Sequence, residues 1–140
     1  MDEKVVDAIK EPVSVEVLQD LAFRALESSP DAIVIAGEDR RIVVFNTQAE
    51  LMFGYHRAEA IGETVEFLIP EDLRAKHEKL FAKYVEQPMM RLMGMGRVVK
   101  VRRRGGQIFD VELAIAPLAP IVGSGLFIMA VIRRLVGVRP

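Results

Sequence analysis

The last third of the chain contains three strand-like segments that are separated by short turns. Residues 108–118 alternate between two faces, with Phe109, Val111, Leu113 and Ile115 on one and Asp110 and Glu112 on the other. Residues 94–104 and 126–132 are the neighbouring strands, and Gly105-Gly106 forms a tight hairpin turn because glycine tolerates positive φ. Strands joined by such short turns pair antiparallel, so this region predicts an antiparallel sheet.

Helices and a further hairpin precede these strands. In chain order, we predict a helix over residues 14–26, strands over 32–36 and 41–45, short helices over 46–53 and 57–61, and a longer helix over 70–86. Ser14 and Asn46 are suitable helix caps, and Gly54 ends the helix that Asn46 begins. The expected fold class is therefore α+β, a five-stranded antiparallel sheet with short helices on one face and an N-terminal flanking helix.

Composition limits the function classes that this chain can serve. Its 140 residues suit one domain, and the 51% of hydrophobic residues supply a core. A net charge of −1 gives no field that favours nucleic acid, and no apolar run reaches the length of a membrane span. The chain has no cysteine, which excludes disulfides, thiolate zinc sites and cysteinyl adducts. We find no nucleophile–base pair, so we expect a non-catalytic, cytoplasmic protein.

The predicted helix over residues 70–86 carries a histidine within an apolar stripe. Leu73, His77, Leu80, Phe81 and Tyr84 share one face at helical spacing, which predicts a buried stripe. Met95 and Arg97 follow at alternating strand positions and should point to the same face. Imidazole and thioether are both ligands of haem iron. This pattern therefore favours a gas or redox sensor, with His77 and Met95 as candidate iron ligands.

Several segments together resemble the PAS family over about residues 20–135. They are Ser29-Pro30-Asp31-Ala32-Ile33, the stretch 44–55, which contains Asn46, Glu59-Ala60-Ile61-Gly62, and the stretch 103–113. The resemblance implies the five-stranded sheet predicted above, with a flanking segment over residues 1–28, the PAS sensor domain over 29–136 and a tail over 137–140.

Within the family, residues 70–97 most resemble haem-binding sensors of the FixL type and direct oxygen-sensing phosphodiesterases. The resemblance implies a haem b cofactor, with His77 as the proximal ligand and Met95 as a removable sixth ligand of the phosphodiesterase type. It gives Arg97 the role of meeting bound oxygen. The pocket walls that we expect are apolar: Leu68, Ile69, Leu80, Phe81, Leu92, Leu113 and Ile115. The implied ligands are the diatomic gases oxygen, carbon monoxide and nitric oxide.

Each candidate also has a simpler interpretation. His77 can be a satisfied core residue and Met95 can be a flexible core filler, in which case Met93, which shares the strand parity of Met95, is the alternative methionine ligand. Arg97 can be an ordinary strand arginine. The alternative function is then a PAS module without haem, either ligand-free or with another ligand such as flavin, which serves dimerisation and signal relay. His56 lies in an exposed-looking turn, and we interpret it as a surface residue.

Assembly and output are predicted from the two ends of the domain. The helix over residues 14–26 has an apolar set that needs a cover, so we expect a homodimer through this helix and the outer face of the sheet. The family resemblance implies a downstream signalling domain or partner protein. The C-terminal segment Arg133-Arg134-Leu135-Val136 departs from the usual Asp-x-Thr ending, and Gly105 stands where aspartate is usual.

Overall fold

The structure is a computed structural model and describes residues 12–94, 97–121, 123 and 125–135. Its helices are α1 (Val15–Ser28), α2 (Thr47–Phe53), α3 (Arg57–Ala60) and α4 (Arg74–Glu86), with 3-10 turns at Val65–Leu68 and Glu71–Leu73. Its strands are β1 (Ala32–Gly37), β2 (Ile42–Phe45), β3 (Val98–Arg102), β4 (Ile108–Ile121) and β5 (Gly125–Arg134). The helix–strand order agrees with the order predicted from the sequence.

The five strands form one antiparallel sheet in the order β2-β1-β5-β4-β3. β5, the last strand in sequence, pairs with β1 in the centre, where Val34 lies opposite Ala130. The sheet is therefore complete only when the first and last strands of the domain pair. The predicted fold class, a five-stranded antiparallel sheet with helices and an N-terminal helix before it, is confirmed.

An aromatic cluster forms the centre of the core. The ring centroids of Phe45 and Phe53 lie 6.0 Å apart, and those of Phe53 and Phe109 lie 6.3 Å apart in tilted arrangements. All three side chains are buried, with Val111 and Ile132 beside them. This packing joins α2 to β2 and β4.

The predicted caps form as hydrogen bonds. The Ser14 hydroxyl accepts from the Val17 backbone N–H at 3.2 Å, and the Asn46 side chain accepts from Ala49 N–H at 3.0 Å. Gly54 ends α2 at φ 76°, a value that strongly favours glycine. Gly105 and Gly106 both have positive φ, of 92° and 94°, as the predicted hairpin requires.

The boundaries of the long strands differ from the prediction. β3 begins at Val98 rather than at residue 94, because Gly94 lies in a turn with φ 85°. β4 continues to Ile121 and β5 to Arg134, since their mutual pairing extends both.

Helix α1 contains no buried residue. Among the described residues, no helix is long and apolar enough to cross a membrane.

Candidate functional site

A cavity of about 430 Å³ lies between α4 and the inner face of the sheet. Its size is within the usual range for a small-molecule pocket. The residues of α4 that line it are His77, Leu80, Phe81, Lys83 and Tyr84. From the sheet and the turns it is lined by Val34, Ala36, Leu68, Ile69, Arg91, Arg97, Val99, Val101, Leu113, Ile115, Ile128, Ala130 and Ile132, among others. Most of these groups are apolar, so the cavity favours a largely apolar ligand with a few polar groups.

His77 is one of the few polar groups in the cavity wall, and one of its ring nitrogens is already engaged. Its Nδ1 lies 2.6 Å from the Glu66 Oε2 atom. A carboxylate can only accept, so Nδ1 carries the proton and donates it. In the neutral ring, Nε2 is then the nitrogen with a free lone pair, and a metal ion in the cavity can use it.

Glu66 is held from its other side by an arginine. Its Oε1 accepts from the Arg40 Nε at 2.8 Å, and Arg40 also approaches Glu78 at 3.4 Å. The Glu66 side chain is only 8% exposed, and a buried carboxylate is stable only when it is paired. The hydrogen bond and the charge of Glu66 raise the pKa of the Arg40 guanidinium, so it remains the cation of this group.

The predicted buried stripe of α4 needs a correction. No residue of α4 is buried, and Leu80 is 55% exposed although it lines the cavity. Leu73, His77, Phe81 and Tyr84 are only partly buried. The helix spans an open cavity instead of packing directly on the sheet, and its apolar face therefore lacks cover.

Arg91 is a cavity residue that the sequence analysis missed. It pairs with Ile115 through two backbone hydrogen bonds of 2.7 and 2.8 Å, so its side chain lies on the cavity face of the sheet. Its guanidinium carbon lies 5.7 Å from the Tyr84 ring centroid, and its buried Nε has no hydrogen-bond partner within the described part of the chain. No local period marks Arg91, because a turn at Gly94 separates it from β3.

Leu92 does not belong with the wall residues, contrary to the prediction. It is 59% exposed and is not part of the cavity wall. Neighbouring residues of an extended segment point to opposite faces, so the bridge between Arg91 and Ile115 turns Leu92 away. The other predicted wall residues line the cavity: Leu68, Ile69, Leu80, Phe81, Leu113 and Ile115.

Arg97 lines the cavity next to β3, and its carbonyl accepts from the Leu113 N–H at 3.2 Å. It thus lines the same cavity as His77. Met95 lies outside the described residues, so the predicted common face of Met95 and Arg97 stays a prediction. Met93 is partly buried.

Tyr84 helps to place the cavity residue Arg91. The Tyr84 hydroxyl donates to the Met89 carbonyl at 2.6 Å and so holds the segment that leads to Arg91. Burial raises the pKa of this hydroxyl and keeps it a donor.

His56 is exposed and caps α3, where its Nδ1 accepts from the Ala58 N–H at 3.2 Å. This position agrees with its interpretation as a surface residue.

The cavity suits a metal held in a prosthetic group better than a metal ion bound by protein side chains alone. Within residues 12–94, 97–121, 123 and 125–135, no three histidine, aspartate or glutamate side chains converge as a metal site. One imidazole in an apolar wall can bind a metal whose other ligands come from a prosthetic group. The arginines add positive charge that can meet an acidic group on the same ligand.

Comparison with known proteins gives a consistent family. The sequence profile of the PAS fold matches residues 21–135. Sensor protein FixL of Bradyrhizobium diazoefficiens is 34% identical over 93 residues, which are 66% of this chain and 18% of FixL. Oxygen sensor protein DosP of Escherichia coli is 31% identical over 97 residues, which are 69% of this chain and 12% of DosP. The chain therefore spans less than a fifth of either relative.

Solved structures agree on the fold. The PAS domain of a protein from Colwellia psychrerythraea superimposes with a TM-score of 0.68 at 22% identity and covers 85% of this chain and 97% of that one. An RNA-binding Light-Oxygen-Voltage receptor superimposes with a TM-score of 0.72 at 19% identity, with 89% and 35% coverage. These identities support the fold alone. With a family profile matched over most of its length and the sheet order described above, the chain belongs to the PAS family.

Proposed function

We propose that this PAS domain binds haem b in the cavity below α4, with His77 as the proximal ligand, and senses oxygen or redox state. The observation that carries the proposal is the geometry of His77. Its Nδ1 is engaged by Glu66 at 2.6 Å, and the residue lines an apolar cavity with Nε2 left for a metal. When bound, haem supplies an iron that takes up a diatomic gas or changes its oxidation state.

The remaining cavity residues fit the parts of this ligand. The partly exposed face of α4, with Leu80 55% exposed, suits a flat apolar ring that would cover it. Arg91 has a buried Nε without a partner in the described chain, and a carboxylate such as a haem propionate would satisfy it. Arg97 lies in the same cavity and offers a charged donor to a polar gas such as oxygen.

Met95 enters the proposal from the sequence alone. We assign it the sixth coordination position when no gas is present, by its resemblance to the phosphodiesterase type of sensor. A six-coordinate low-spin absorption spectrum of the ferrous protein would support this role, and Met95→Ala should convert it to a five-coordinate spectrum. A five-coordinate spectrum in the unaltered protein would remove Met95 as a ligand and leave a site of the FixL type.

The relatives support the choice of signal. One is named a sensor protein and the other an oxygen sensor protein, and both align with this chain over about two thirds of its length. Because the chain spans less than a fifth of each, this proposal assigns the output activity to a separate domain or partner. In this proposal the domain is not catalytic. It forms a homodimer in the cytoplasm and passes its signal to an output domain or partner.

The decisive experiment compares the two histidines of the chain. The unaltered protein, His77→Ala and His56→Ala are expressed with haem supplied, and the Soret band per protein is measured. We expect the band in the unaltered protein and in His56→Ala, and its loss in His77→Ala with an unchanged far-UV circular dichroism spectrum. His56 is a matched control because it is exposed and lies outside the cavity.

Two results would contradict the proposal. A His77→Ala variant that binds haem like the unaltered protein would make His77 a core residue. An unaltered protein without a Soret band would favour the alternative function, a PAS module without haem that serves dimerisation and relay.

A further inference from the structure

Glu66 lies where it can control the ligand properties of His77. It belongs to the 3-10 turn Val65–Leu68, which packs against α4, and its Oε2 accepts from the His77 Nδ1 at 2.6 Å. The two residues are eleven positions apart, so this contact depends on the packing of the turn on the helix. Glu66 is 6% exposed, which means that water competes little for the hydrogen bond.

The position of the Glu66 carboxylate is fixed by a second contact. Its Oε1 accepts from Arg40 at 2.8 Å, so it cannot rotate away from the imidazole without losing an ion pair. Arg40 is itself held by the β1–β2 turn, where it has φ 69° and where its carbonyl accepts from the Val65 N–H at 2.9 Å. The backbone of the turn and the side-chain contacts therefore support the same arrangement.

We infer that Glu66 is a positioning residue for His77. The Glu66 carboxylate fixes the Nδ1–H tautomer of the His77 ring, orients its Nε2 into the cavity and strengthens Nε2 as a donor to iron. This inference rests on the proposed function. An imidazole that donates a strong hydrogen bond to a carboxylate gains electron density on its other nitrogen. Such a ligand favours the more highly charged ferric state, so Glu66 should lower the ferric–ferrous potential.

The test uses the haem-loaded protein and a matched pair of variants. Glu66→Gln keeps the shape and removes the charge, whereas Glu78→Gln removes a carboxylate that approaches Arg40 but makes no hydrogen bond to His77. The ferric-to-ferrous ratio is measured spectroscopically against redox mediators. We expect Glu66→Gln to favour the ferrous state about tenfold, which is ~59 mV for one electron, and Glu78→Gln to change the ratio by less than threefold.

A spectroscopic signature separates this role from a merely structural one. In the five-coordinate ferrous Met95→Ala background, the iron–histidine stretching frequency in the resonance Raman spectrum should fall with Glu66→Gln and remain unchanged with Glu78→Gln. Glu66→Asp keeps the charge with a shorter side chain, so its ratio should lie nearer to that of the unaltered protein. Equal shifts in Glu66→Gln and Glu78→Gln, or none in either, would overturn the inference.

A measurement on the haem-free protein distinguishes this inference from the proposed function. In the ¹⁵N NMR spectrum of the His77 ring, we expect the proton on Nδ1 in the unaltered chain and a larger Nε2-protonated fraction in Glu66→Gln. A mainly Nε2-protonated ring in the unaltered chain would overturn the inference even if haem binds. A Soret band lost only in His77→Ala, with unchanged potentials in Glu66→Gln, would leave the proposed function in place and overturn the role of Glu66.

Discussion

At the scale of single residues, Asn46 uses every hydrogen-bonding atom of its side chain. Its Oδ1 accepts from the N–H groups of Ile33 and Ala49 at 2.8 and 3.0 Å. Its Nδ2 donates to the carbonyls of Leu26 and Asp31 at 2.8 and 3.1 Å. One buried amide thus caps α2 and ties β1 and the end of α1 to it.

Replacing Asn46 should therefore cost far more than the loss of an ordinary helix cap. Asn46→Ala removes the cap, worth about 1 kcal/mol, and leaves buried backbone groups without partners at about 1–3 kcal/mol each. We expect the free energy of unfolding to fall by roughly 2–4 kcal/mol in urea titrations. Ser14→Ala is the control, because its cap is exposed. A similar loss of unfolding free energy in both variants would contradict the role of Asn46 in joining α2, β1 and α1.

Arg97 offers a second prediction at this scale. A charged hydrogen bond contributes about 1.5–3 kcal/mol, which corresponds to roughly ten- to a hundredfold in affinity at ~1.4 kcal/mol per decade. We expect Arg97→Ala to weaken oxygen binding by this factor and to leave carbon monoxide binding nearly unchanged, because carbon monoxide is less polar in such a site. Arg102→Ala, on β3 but outside the cavity wall, is the matched control. An equal loss for both gases would mean that Arg97 only shapes the cavity.

At the scale of elements, α1 is attached to the domain by an ion-pair network rather than by apolar burial. Arg57 contacts Glu27 of α1 at 2.8 Å and Glu50 of α2 at 3.0 Å. The hydrogen bond from Arg57 is the largest cause that holds the pKa of each carboxyl below its ordinary value of 4.5. Their stabilising effect is therefore complete above pH 4.5 and is lost as the pH falls through the lowered values.

Removing Arg57 should loosen α1 in a pH-dependent way. We expect Arg57→Met to lower the free energy of unfolding by about 1 kcal/mol at neutral pH and to speed hydrogen exchange of the α1 amides. The difference from the unaltered chain should shrink once the pH falls below about 4.5, because protonated carboxyls no longer form the ion pair. Arg24→Met, which removes an exposed pair within α1, should have little effect. A difference that is constant between pH 3 and 7 would contradict this account.

At the scale of the whole molecule, the exposed apolar face of α1 predicts self-association. Val17, Leu18 and Leu21 are each 45–53% exposed, and no residue of α1 is buried. An isolated helix of this length is marginally stable in water, so it needs a partner. The end of β5 lies close to the end of α1, since Nε and Nη2 of Arg133 donate to the two carboxylate oxygens of Asp31. A dimer through α1 would thus lie near the end of β5.

Light scattering over a concentration series tests this assembly. We expect twice the mass of one chain for the unaltered protein and a single-chain mass for the double variant Leu18→Glu and Leu21→Glu. Leu51→Glu, which changes an exposed leucine on α2, should remain dimeric. A single-chain mass for the unaltered protein at high concentration would contradict the dimer.

The sequence by itself determined the local elements and the family of this protein. Period-two alternation over β4, the Gly105-Gly106 turn and the caps Ser14 and Asn46 are local signals, because each depends on neighbours a few residues away. Helical spacing likewise put His77 with Leu80, Phe81 and Tyr84. Local periodicity tells which face a residue occupies, but it does not tell how closely that face is packed.

Only the tertiary structure decided what surrounds His77. The contact with Glu66 arises from the packing of a 3-10 turn on α4, and Arg40 joins it from a turn 26 residues before Glu66. The open cavity leaves α4 without buried residues, and the bridge to Ile115 places Arg91 rather than Leu92 in the cavity wall. These features depend on the register of segments that are far apart in sequence, and no local period encodes that register.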